Sequence, residues 1–171
     1  MSKAFTKEDD AGEALVVPRA PLPAGVLNYV TPRGLSALRV ELRELEQRRG
    51  ALSADDAANR VAREALAEQL RALEARIASA VLVEPSVQSL DEVRFGANVE
   101  VENAAGEVRS YRIVGVDEAD AAARRIAFTA PLARALLGKS VGDEVEVRTP
   151  RGSEALTILA VTYGDPELPE K

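Results

Sequence analysis

Apolar residues recur along this chain with two different periods. From Leu35 the spacing alternates between three and four: Leu35, Leu38, Leu42 and Leu45, with Arg39, Glu41, Arg43, Glu44 and Glu46 around them. Such a narrow leucine seam is the face a helix turns to a partner helix. Thr31 is placed to cap this helix, and Pro32 fits its first position, where the missing N–H costs nothing. Gly50 is expected to end it. A second seam follows at Leu66, Leu70, Leu73, Ile77 and Ala80, with Arg63, Glu64, Glu68, Arg71, Glu74 and Arg76 outside. Ser53 and Asp56, three residues apart, resemble a capping box, so the second helix is expected to begin near Ala54. Two seams joined by a short loop predict an antiparallel hairpin, a coiled coil, over residues 29–83.

After Pro85 the period changes to two. "VLVEPSVQSLDEV" breaks the helical pattern and reads as a linker over residues 84–92. "NVEVEN", "EVRSYRIVGV", "RIAFT", "EVEVRT" and "EALTILAVTY" alternate as strands do, separated by the turn signals "NAAG", "GVDEAD", "GKSVGD" and "TPRG". "APLARALLGK" carries Leu132, Leu136 and Leu137 at helical spacing behind Pro131, so one short helix is expected against the sheet. Residues 93–165 are therefore predicted to be a small sheet domain with one helix, and the fold class of the chain is α+β. Residues 1–28, with Pro18, Pro21 and Pro23, read as a poorly ordered leader, and 166–171 as a tail.

Composition narrows the chemistry. The chain of 171 residues has no Cys and no His, which removes disulfides, thiol nucleophiles, zinc fingers and histidine general bases. Its 28 acids against 22 bases give a net charge of −6, so any nucleic-acid contact is expected to be local. The N-terminus lacks the pattern of a signal peptide and no stretch approaches a membrane span, so a cytoplasmic protein is expected. Neither a dinucleotide fingerprint nor a P-loop is present.

The sharpest candidate for chemistry is the acidic pair Asp55 and Asp56 in "RRGALSADDAANR", at the turn of the predicted hairpin. Two acids at an exposed tip can share a Mg²⁺ ion that keeps most of its water shell. Acids in the first turn of a helix are equally what its dipole and free N–H groups favour, and adjacent helical residues point about 100° apart. Arg48, Arg49, Arg60 and Arg63 flank the same tip, as a phosphate-binding patch or as a solvated face. Arg109, Tyr111 and Arg112 interleave an aromatic with bases on one strand, suited to stacking on RNA or simply to a sheet edge.

"NYVTPRGLSALRVEL", the two-helix run closed by "LVEP", "RFGANVEVENAAGEVRSYRIVGVDEAD" and "APLARALLGKSVGDEVEVRTPRG" together resemble the bacterial Gre transcript-cleavage factors (GreA/GreB), and look closer to the GreB type. The opening "SKAFTKEDD" is also similar to GreB-type leaders. The resemblance covers most of residues 28–165. It implies a coiled-coil hairpin followed by a docking domain of FKBP-like fold. It also implies a partner, RNA polymerase, with the second domain on the rim of the secondary channel and the hairpin pushed inward. In the family the tip carboxylates help hold a second Mg²⁺ in the polymerase active site, so that backtracked RNA is hydrolysed. The chain itself then carries no cofactor and is not an enzyme; any Mg²⁺ is shared with the polymerase.

Departures from the family pattern fall in two places, the hairpin with its tip and the docking turn. The family tip reads approximately Gly-Asp-x-Ser-Glu-Asn; with Gly50 and Ser53 in register, its two acids fall on Ala51 and Ala54, and Asp55 and Asp56 lie beyond. The first helix, Pro32 to Arg49, has 18 residues, about 27 Å, whereas family hairpins are longer by several turns. Where GreB-type proteins have Asp-Ser-Pro in the docking turn, this chain has Thr129, Ala130 and Pro131, followed by Leu132. The expected function is therefore a polymerase-binding elongation factor that tunes or occludes the channel. Its alternatives are a cleavage-competent factor using Asp55 and Asp56 with Mg²⁺, a peptidyl-prolyl isomerase suggested by the implied fold, and a coiled-coil interaction rod. An isomerase pocket wants clustered aromatics, and besides Phe95 the domain offers only Tyr111, Phe128 and Tyr163. The hairpin reading predicts a monomer with possible contact to nascent RNA.

Overall fold

The computed structural model describes residue 19 and residues 21–54, 56–84, 91–149 and 152–164. Most of the leader, the greater part of the linker, Asp55 and the tail lie outside the described residues. The order of elements is β1 (Asn28–Val30), α1 (Pro32–Ala51), α2 (Arg60–Ala78), β2 (Ala80–Leu82), β3 (Asn98–Asn103), β4 (Val108–Val114), β5 (Arg125–Ala127), α3 (Pro131–Leu136), β6 (Glu144–Thr149) and β7 (Gly152–Thr162).

The helix α1 starts as its sequence predicts: Thr31 accepts a hydrogen bond from the Gly34 amide and Pro32 occupies the first turn. It does not stop at Gly50. It runs to Ala51, giving 20 residues and a length of about 30 Å. The expected start of the second helix is also displaced. Asp56, and not a Ser53 box, is the cap: its side chain accepts from the Ala58 amide and opens a 3-10 turn, Ala57–Asn59, so that α2 begins only at Arg60. A carboxylate in extended backbone just ahead of free N–H groups stabilises whichever turn follows it, and here that turn is the tighter one.

The two helices run antiparallel, because Arg63 near the start of α2 donates to the Leu52 carbonyl past the end of α1, while Asn28 ahead of α1 donates to the Arg76 carbonyl near the end of α2. Leu38, Leu45, Leu70 and Leu73 are buried between them, with Val30 at the base and Leu35, Leu42, Leu66 and Ile77 partly covered. At that base β1 and β2 pair in parallel, Asn28 opposite Ala80 and Val30 opposite Leu82. The periodicity gave no sign of this short ribbon, since three residues are too few for a period of two to register.

The five-stranded sheet has the order β5-β4-β3-β7-β6. It is antiparallel except for β4 and β5, which run parallel with Ile113 opposite Ile126. One face carries Val99, Val101, Ile113, Val145, Val147, Leu156, Ile158 and Val161, all buried, and α3 covers it with Ala133 and Leu136. Between Glu100 and Val101 the register shifts, with the extra residue Leu159 on β7, which bends β7 and curls the sheet. Because β4 and β5 are parallel, residues 115–124 must cross from one end of the pair to the other. That crossing, with a 3-10 turn at Val116–Glu118, lies against the base of the helices.

Candidate functional site

Three places carry the distinctive side chains: the helical tip, the turn before α3, and the joint between helices and sheet. At the tip, Arg48 and Arg49 sit exposed in the last turn of α1, where the helix dipole favours cations. Arg60, exposed, opens α2. Arg63 has a different job from its neighbours: its Nη1 donates to the Leu52 carbonyl and, at 3.3 Å, to that of Arg49. It thus caps the Leu52 carbonyl, adds to the Leu52 amide already on the Arg49 carbonyl, and ties the two helices together where they turn.

Asp56 is engaged on both oxygens, Oδ1 accepting from the Ala58 amide at 2.9 Å and Oδ2 from the Asn59 side chain at 3.5 Å. Asp55 lies outside the described residues. A shallow groove of about 400 Å³ beside the turn is lined by Arg49, Asp56, Arg60, Arg63 and Glu64. Among the described residues no group of three or more acids is close enough to hold a metal ion.

The turn before α3 is held by backbone hydrogen bonds. The Phe128 amide donates to the Val114 carbonyl at 2.9 Å and the Ala130 amide to that of Ala127 at 2.8 Å, after which Pro131 starts the helix. Pro131 is exposed, Thr129 is half-buried, and Leu132 packs partly against the sheet core. The structure thus brings Thr129, Pro131 and Leu132 together at one surface turn, well separated in the chain from the arginines of the tip.

The joint was not legible as a site. Glu118, in the crossing between β4 and β5, accepts from the Thr31 amide at 3.0 Å and from the Thr31 hydroxyl, and its Oε1 also accepts from the Gly115 amide at 3.3 Å. Asp117 beside it accepts from Arg19 at 2.6 Å and makes an ion pair with Arg76 at 3.3 Å. Arg19 in turn donates to both carboxylate oxygens of Glu41 on α1, each at 2.6 Å. Burial works against the Arg19 charge, but the bonds to Asp117 and then Glu41 prevail and raise its pKa. On the other side of the joint Tyr29, Phe95 and Phe128 pack as a triad with ring centroids 5.5–5.9 Å apart, bringing two of the domain's aromatics onto the base of the helices. The available sequence signals are small: "GVDEAD" reads only as a turn, and a glycine at position 34 is unusual in a helical first turn.

These features describe a protein with distinctive surfaces at two separate places, a pair of helices ending in a basic turn and an exposed proline turn on a curled sheet. The family profile described as "Transcription elongation factor, GreA/GreB, C-term" matches residues 87–163. The transcription elongation factor GreB of Neisseria meningitidis serogroup A is 36 % identical over 154 residues, spanning 80 % of this chain and 94 % of the relative. GreA of Acidiphilium cryptum is 46 % identical over 93 residues, 54 % of this chain and 59 % of the relative's length. Among solved structures, Gfh1 of Thermus thermophilus is 25 % identical with a TM-score of 0.40, over 78 % of this chain and 97 % of that one. GreA/GreB from Nitrosomonas europaea is also 25 % identical, with a TM-score of 0.42, over 79 % and 98 %. The chain belongs to the GreA/GreB family of transcription elongation factors.

Proposed function

We propose that this protein binds RNA polymerase in the cytoplasm and modulates elongation by placing α1 and α2, as a short antiparallel coiled coil, in the secondary channel. The sheet, as an FKBP-like docking domain, seats Thr129, Pro131 and Leu132 on the channel rim. Arg48, Arg49 and Arg60 then face the phosphates of nascent or backtracked RNA. The chain has no reaction of its own; hydrolysis, where it occurs, is the polymerase's.

The observation that carries this reading, over stimulation of cleavage, is the state of Asp56. Its carboxylate accepts from the Ala58 amide and the Asn59 side chain and so starts the 3-10 turn. Mg²⁺ demands near-octahedral oxygen ligands at about 2.1 Å, and recruiting Asp56 for that purpose would unmake the cap. Ala51 and Ala54 stand where the family resemblance puts its acids. An arm of about 30 Å also favours occupancy over delivery of a ligand deep in the channel.

The test is RNA cleavage in stalled, backtracked complexes of the cognate polymerase with Mg²⁺, comparing the parent with the Asp55→Asn/Asp56→Asn double variant. The expected result is no added cleavage from either protein, and protection of the complexes against a cleavage-competent Gre factor. Shortened RNA that disappears with the double variant overturns the reading and makes the two aspartates metal ligands shared with the polymerase.

A further inference from the structure

The helix α1 has no acid in its first turn, although that is where a carboxylate best offsets the positive end of the helix dipole. The acid is supplied from the sheet. Glu118 reaches across to the Thr31 amide and hydroxyl, and Thr31, itself almost fully buried, holds the Gly34 amide. The space Glu118 occupies exists because residue 34 lacks a side chain: a Cβ there would lie 2.1 Å from the Glu118 carboxyl carbon. Gly115 allows the approach from the other side, since a Cβ on it would stand 2.6 Å from the Tyr29 carbonyl. Asp117, the preceding residue, holds Arg76 near the end of α2 and Arg19, which also grips Glu41 one face further along α1. Both helices are thereby fastened to one dipeptide.

That dipeptide sits in the crossing that leads into β5, and β5 leads through Phe128 directly into the docking turn at Thr129 and Pro131. We infer that Asp117 and Glu118 are positioning residues that set the pitch of the helical arm on the sheet, so that docking the sheet fixes where the arm's tip arrives. The inference rests on the reading of α1 and α2 as an arm delivered to a channel. Its leverage is geometric: a tilt of about 10° at the joint carries the end of a roughly 30 Å helix through about 5 Å.

The chain has no cysteine, so two introduced ones are unique labelling sites. Spin labels at Glu46→Cys on α1 and Ser110→Cys on β4, both exposed positions, report the arm's pitch in the free protein. The expected parent result is a single narrow distance distribution. Gly34→Ala, which drives the Glu118 carboxylate out of its place, is expected to shift the distribution by several ångströms or broaden it about twofold. Glu118→Gln, which keeps an acceptor for Thr31, is expected to lie between the two, and Glu118→Ala to match Gly34→Ala.

Circular dichroism supplies the control, because alanine is a better helix former than glycine and Gly34→Ala should keep its full helix content. A purely structural role for Glu118 predicts a helix at least as stable and an unmoved distance, and that result overturns the inference. On polymerase, the Gly34→Ala protein is expected to bind through the docking turn yet lose its protection of backtracked complexes. If even the parent gives no protection, the channel reading fails while the distance measurement still decides the joint.

Discussion

The sheet and the helical arm are built from equally apolar sequence but stabilise themselves differently. Among the described residues the sheet closes twelve buried side chains into one cluster under α3, whereas the arm has five, strung along a single seam. Burial in that seam also falls toward the turn: Leu73 is 2 % exposed and Leu45 is 7 % exposed, while Leu66, nearer the turn on α2, is only partly covered. A two-helix seam has no third layer to cover it, so its order must come from the base. The sheet is self-supporting, and the arm depends on the joint. This difference places the easiest local opening at the helical turn and the best-protected backbone in the sheet.

The largest test of that contrast compares one core residue from each region. Ile158→Ala in the sheet and Leu73→Ala in the arm are each expected to cost about 2–5 kcal/mol. They should differ in what unfolds. Ile158→Ala is expected to lower a single transition seen by all probes in denaturant. Leu73→Ala is expected to split it, with amide exchange accelerating in α1 and α2 while β3, β4 and β7 keep their protection. Uniform acceleration in both regions after Leu73→Ala would show that the arm and the sheet fold as one unit.

A smaller effect probes the joint. Asp117 is 7 % exposed and lies between the guanidinium groups of Arg19 and Arg76. Asp117→Asn removes the negative charge that Arg76 meets in a nearly dry site, while Arg19 keeps Glu41, and is expected to cost about 3 kcal/mol in a urea melt. Thr31→Ala, which removes the cap that also receives Glu118, is expected to cost about 1–2 kcal/mol. Both losses should appear first in the arm. Losses seen first in β3 and β7 would reverse the dependence drawn above.

Most of the sheet was legible because its strands are half-buried antiparallel elements, in which a period of two is imposed by one wet and one dry face. "NVEVEN" became β3 and "EVEVRT" became β6, and Pro131 marked the start of α3, each within a residue or two. The arm's seams were equally plain, but its turn was not. Ser53 and Asp56 offered two competing caps, and the choice between them rests on backbone geometry that residue types do not encode. The joint was hidden for another reason: Glu118 acts on Thr31 from 87 residues away, and no local pattern reports a cap supplied by another element. Arg19, read as part of a leader, is engaged for the same non-local reason.

The smallest predicted effect sets the turn of the β3–β4 hairpin against the turn of the arm. At Asn103–Glu107 the Asn103 side chain accepts from the Ala105 and Glu107 amides, both at 3.0 Å, and Gly106 supplies the left-handed residue at φ 78°. Arg109 then holds Glu107 at 2.8 Å and approaches Glu154 at 3.4 Å. The Arg109 guanidinium first, and the Asn103 amide second, pull the Glu107 pKa below its ordinary 4.5. A carboxyl with a lowered folded-state pKa binds its proton less readily folded than unfolded. Its contribution is therefore complete above the unfolded value and is lost as pH falls through the folded one. In an NMR titration the Glu107 carboxyl is expected to titrate below 4.5, to return toward that value in Arg109→Ala, and to move partway there in high salt, since the pair is exposed. A carboxyl unmoved by Arg109→Ala would assign the shift to Asn103 and the turn backbone. In that case both turns are held alike, by one side chain on local amides, as Asp56 holds Ala58, and the contrast between the regions lies in their cores and not in their tips.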